Sequence, residues 1–98
     1  MALAARFHVH RAQRFPLHIP IQFRKSGMPY WQHGKTVNIS RTGILFHADE
    51  KIPEESVLDM QITFPLKLTL SCQGSIVRTQ EPLFAVRIHR YHLLHESE

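Results

Sequence analysis

Leu17-His18-Ile19-Pro20-Ile21-Gln22-Phe23-Arg24 sets one apolar residue after every second position. A period of two puts Leu17, Ile19, Ile21 and Phe23 on one face of a strand and His18, Gln22 and Arg24 on the other. Pro20 stands in the outward phase and has no N–H to give to a ladder, so an edge or a bulge is expected there. The same alternation returns in Leu58, Met60, Ile62 and Phe64, where Pro65 breaks it, and again in Phe84, Val86 and Ile88. Strands with one apolar face imply an antiparallel sheet wrapped over a core.

Outward from these anchors the remaining segments fall into place. Ser26-Gly27-Met28-Pro29 is a turn signal. Tyr30 to Ile39 reads as a second strand, interrupted near His33-Gly34, and Ile44 to Ala48 as a third. Asp49 to Ser56 is a polar loop containing proline. Leu68, Leu70 and Cys72 begin a fifth strand, and a bulge at Gly74 would switch its faces. Gln80-Glu81-Pro82 turns the chain into the sixth. Tyr91 to Glu96 is expected to close as a short C-terminal helix, with Leu93 and Leu94 covering an open end. The expectation is an all-β fold, a six-stranded antiparallel β-barrel, because closure removes exposed edges in so small a sheet. Residues 1–15 form a flexible basic N-terminal arm without a clear period, and residues 16–98 the barrel domain.

Composition sets the limits. Ninety-eight residues allow one core, and 43% apolar with 20% charged residues is a globular balance. The net charge is +4. Arg6, Arg11, Arg14, Arg24 and Lys25 all precede the first acidic residue, an asymmetry that favours an anionic partner at the N-terminal end. Cys72 is the single cysteine, which excludes an internal disulfide and suits a reducing, cytoplasmic setting. No apolar run is long enough for membrane insertion, and residues 1–9 lack the hydrophobic region of a signal peptide.

Catalytic patterns are missing. There is no activated serine, cysteine–histidine pair, carboxylate pair or glycine-rich phosphate cradle at a recognisable spacing, so no enzyme and no cofactor are expected. His8 and His10 alternate, and His92 and His95 have a helical spacing. Neither pair has cysteine or carboxylate companions at a zinc-like spacing, so no metal site is expected. A binder of single-stranded nucleic acid needs exposed aromatics in a basic groove. Tyr30 and Trp31 qualify, but Phe23, Phe64 and Phe84 fall in inward phases, which argues against nucleic acid.

Two polar stretches stand apart from the strand pattern. Asn38-Ile39-Ser40-Arg41-Thr42-Gly43 has the form [D/N]xSxxG. Asn and Ser shape turns with their short side chains, and Gly43 admits a positive φ or a close approach. Alone, this describes a hairpin turn. His10-Arg11-Ala12-Gln13-Arg14 runs straight into the first strand. With Gly74-Ser75-Ile76-Val77-Arg78 and Phe84-Ala85-Val86-Arg87-Ile88, the two stretches resemble the PilZ family, bacterial receptor domains for cyclic di-GMP, over nearly the whole chain. The family's arginine motif is RxxxR. Here its second arginine is Arg14, its first position holds His10, and Arg11 lies one place out of register. The resemblance implies a cyclic di-GMP site made by His10, Arg11 and Arg14, in an arm that orders on binding, and by Asn38, Ser40 and Gly43 on the barrel surface. It also implies a receptor that acts through a protein output partner. The departure at His10 implies weaker binding, or a degenerate interaction module that binds no nucleotide.

Overall fold

The computed structural model describes residues 13–95. Among them are β1 (Phe15–Pro16), β2 (Pro20–Lys25), β3 (Gln32–Ile39), β4 (Gly43–His47), β5 (Val57–Phe64), β6 (Leu68–Gln80) and β7 (Leu83–His95). The order β3-β2-β5-β6-β7-β4 returns to β3 through a β3–β4 pairing, so six antiparallel strands close a barrel. β1 and β2 lie end to end along one side of β3. The first strand expected from Leu17 to Arg24 begins only at Pro20: residues 17–19 form the break, and β1 lies ahead of the expected strand. No α-helix occurs among the described residues; the short turn of helix Pro65–Lys67 has 3-10 character and joins β5 to β6.

The inward phases read from the sequence form the core. Ile21, Phe23, Leu58, Met60, Ile62, Leu70, Cys72, Phe84 and Val86 are buried, joined by Ile44, Phe46 and Ile76. Phe46 sits between Phe23 and Phe84, with ring centroids 5.2 and 5.6 Å away in tilted geometry. Such pairs add to area burial because ring edges meet ring faces. Gly34 does not interrupt β3. A Cβ there would stand 2.7 Å from the His47 carbonyl oxygen and 3.3 Å from the Phe46 ring, so glycine lets β3 and β4 close over the aromatic cluster.

Three sequence expectations are corrected. The C-terminal helix is absent: β7 runs as strand to His95, with Tyr91 opposite Cys72, Leu93 opposite Leu70 and Leu94 opposite Thr69. The first half of β6 supplies a ladder of backbone partners that local sequence cannot reveal, and pairing with it satisfies those backbone groups of residues 90–95 that point toward β6. The helical spacing of His92 and His95 loses its meaning with the helix. The predicted bulge near Gly74 exists, but Gln73 and Gly74 oppose Arg90 and Ile88, so the extra residue is His89 on β7. β6 keeps its phase through buried Gly74 and Ile76; its own extra residue is Val77, half exposed.

Candidate functional site

The site begins with a buried threonine. Thr36, fully buried in β3, accepts a hydrogen bond from the Ile19 N–H at 2.9 Å and donates to the Leu17 carbonyl. Its backbone N–H reaches the Ile19 carbonyl at 2.9 Å, and the Leu17 N–H reaches the Val37 carbonyl at 3.1 Å. These bonds serve the backbone groups that the break between β1 and β2 would otherwise leave unpaired. They also hold β1 in register, with Phe15 opposite Ile39 and Pro16 opposite Asn38.

A bulge then aims Asn38. β3 and β4 pair Thr36 with Phe46 but Asn38 with Leu45, so Val37 is an extra residue. Thr36 is buried and Ile39 packs on the core, three positions later, which is possible only with that extra residue. Asn38 is thereby turned outward, the re-aiming for which bulges are used. Its Oδ1 accepts a hydrogen bond of 2.6 Å from Arg14 Nε, just ahead of β1.

Ser40 and Gly43 close the turn. Ser40 is buried, and its Oγ accepts from the N–H groups of Gly43 at 3.1 Å and Thr42 at 3.3 Å. The Ser40 N–H donates to the Gly43 carbonyl at 2.9 Å, and the Thr42 carbonyl accepts from the Ile88 N–H at 2.8 Å, pinning the turn to β7. Gly43 is used for close approach and not for a positive φ. A Cβ there would lie 2.8 Å from the Val86 carbonyl oxygen and 3.8 Å from an Arg14 terminal nitrogen. The structure thus brings Arg14, Asn38, Ser40 and Gly43 together at one end of the barrel; His10 and Arg11 lie outside the described residues. Arg41, exposed at the tip of the same turn, occupies a variable position of the motif, and pattern matching passes over it. Thr36 was likewise legible only as part of a strand.

Among the described residues Arg14 hydrogen-bonds to a neutral amide, and no carboxylate pairs with it. On the wall of the barrel the arrangement differs. Arg24 Nε donates to Asp59 Oδ2 at 3.1 Å, its guanidinium lies 4.4 Å from the Trp31 ring centre, and Gln73 donates to Asp59 Oδ1 at 3.3 Å. Trp31 is therefore engaged by Arg24, whereas Tyr30 is exposed. Burial, with a smaller contribution from the Asp59 charge, pushes the Cys72 thiol up to about 11. A thiol that stays protonated at neutral pH is a poor nucleophile. Among the described residues no group of His, Cys, Asp and Glu is placed to hold a metal ion, and no helix is long and apolar enough to cross a membrane.

Comparison with curated proteins gives no match. The family model described as PilZ domain matches residues 9–97, a span that takes in the His10–Arg14 arm, the Asn38–Gly43 turn and every strand of the barrel, and the chain therefore belongs to the PilZ domain family.

Proposed function

We propose that this PilZ domain is a receptor for cyclic di-GMP that passes the level of the messenger to a protein partner, with no catalytic step of its own. The observation that supports this most is the state of Arg14. Asn38 holds it through Nε alone, leaving both terminal nitrogens without a hydrogen bond among the described residues. A guanidinium presented in this way can bond in bidentate fashion to guanine O6 and N7, stack on a base or face a phosphate, and cyclic di-GMP offers all three. Orientation by Asn38 lowers the entropy lost on binding. Arg11 and His10, a few residues upstream, would add further contacts from the arm, and His10 would carry charge only below about pH 6.5.

Calorimetric titration of the whole chain with cyclic di-GMP, near about 100 mM salt to limit nonspecific attraction, tests the reading. Linear pGpG and GTP serve as controls. Saturable heat seen only with the cyclic dinucleotide is expected. Absence of binding up to about 100 μM, a limit near 5.5 kcal/mol, would overturn it and leave a nucleotide-independent interaction module.

A further inference from the structure

β4 ends its pairing with β7 at Gly43 opposite Arg87, and one further bond runs from the Ile88 N–H to the Thr42 carbonyl. Beyond it, β7 continues to His95 paired with β6 on one side only. Its other edge has no partner among the described residues. An edge of this kind is a template for strand addition. The faces of the two-stranded extension differ in chemistry. Toward the barrel mouth, Phe64, Leu68, Leu70, Ile88, Tyr91 and Leu93 line an open concavity of about 300 Å³, with Arg41 at its rim. Tyr91 and Leu93 are 58% and 54% exposed, large values for apolar side chains beside a core. On the outer face the same stretch of β7 presents Arg90 and His92, opposite Gln73 and Ser71. Neither β6 nor β7 contains an acidic residue.

We infer that the free edge of β7, residues 89–95, is a docking site for an extended, acidic segment of a partner protein, whose alternate apolar side chains enter the groove beside Tyr91 and Leu93. Backbone bonds along the edge supply affinity that does not depend on sequence. The groove reads every second side chain, Arg90 with His92 beside it on the outer face selects for carboxylates on the others, and Arg41 meets the segment at the groove. Charge separates this occupant from the two alternatives the chain itself offers. The N-terminal arm carries Arg6 and Arg11 and no acidic residue, so it would bring cations to an edge that already holds Arg90. A second copy would bring its own Arg90 along with Glu96 and Glu98, a mixed charge, whereas an acidic segment sets opposite charge against Arg41 and Arg90 throughout. The Ser40–Thr42 turn touches both the groove and the Arg14 site, so the receptor reading makes this edge its output surface; that role rests on the reading, while docking itself does not.

The test uses the whole isotope-labelled chain without nucleotide, so it is independent of whether cyclic di-GMP binds. The probe is a blocked synthetic peptide alternating glutamate with valine and leucine. Controls replace glutamate by lysine, or place proline at the centre, which removes a ladder donor. The expected result is saturable shifts and slowed amide exchange confined to residues 88–95 and the groove. Lysine and proline peptides should bind about tenfold more weakly or worse. Leu93→Glu, its fold checked by the unchanged amide spectrum of the other strands, should abolish the response, and Arg90→Glu should reverse the preference between glutamate and lysine peptides. No protection at about 1 mM peptide, or equal binding of the lysine peptide, would overturn the inference. So would an edge already protected without peptide and released by deleting residues 1–12, which would identify the arm as occupant, or protection that grows with protein concentration, which would identify a second copy.

Discussion

Arg24, on the wall of the barrel, is held on several sides by Asp59 and the Trp31 ring, with Gln73 completing the carboxylate's bonds. Arg14, at the mouth, is held by one neutral oxygen of Asn38. Both side chains belong to the same basic first quarter of the sequence, and charge counting treats them alike. The wall neutralises its cation and covers its flat face, leaving nothing to recruit an anion. The mouth orients its cation and, among the described residues, sets no carboxylate beside it. What distinguishes a binding arginine from a structural one is the compensation around it, and that is fixed by strands distant in sequence.

The sharpest way to break this contrast is Arg14→Ala. Titration with cyclic di-GMP should show affinity falling by about a hundredfold, near the upper end of one bidentate contact. Thermal unfolding should move by less than about 0.5 kcal/mol, because the side chain is exposed. If stability falls instead, Arg14 is structural like Arg24 and the contrast is lost. Thr36→Val comes next. It keeps the shape but leaves the Ile19 N–H without its acceptor, at a cost of about 2 kcal/mol in chemical denaturation. Loosened β1 should also weaken ligand binding, coupling the buried threonine to Arg14; unchanged affinity would show that β1 does not position the arginine.

A gain comes third. His10→Arg restores the first position of the arginine motif and should tighten cyclic di-GMP binding by about tenfold, roughly one added charged contact. No change by calorimetry would mean that Arg11 already fills that role. The smallest effect belongs to the wall. Arg24→Ala should cost about 1 kcal/mol, since both members of its pair remain partly solvated, and should leave ligand affinity as it was. A loss of affinity would place the wall within the site.

Much of the barrel is readable from local pattern. Ile21, Phe23, Leu58, Met60, Ile62 and Phe84 are inward by period and buried in fact. The C-terminal segment failed that reading because the extra residue His89 shifts its phase against Ile88, Leu94 breaks the alternation after Leu93, and its conformation is taken from β6. Half of the candidate site was legible in the same sense. Asn38, Ser40 and Gly43 could be named from the motif, but their different tasks could not. Ser40 builds the turn, Gly43 leaves room for the Val86 carbonyl and the Arg14 guanidinium, and Asn38 hydrogen-bonds Arg14.

By itself, then, the sequence determined the strand faces, the turns, the basic arm and the family motifs, because side-chain periodicity and turn chemistry are properties of neighbouring residues. Only the tertiary structure decided that Val37 bulges to turn Asn38 outward, that Thr36 joins β1 to β3, that β7 runs past the end of β4, and that among the described residues one arginine meets a carboxylate while another does not. Each of these depends on which backbone groups and charges meet across the sheet, and the period of a single strand carries no information about its neighbour.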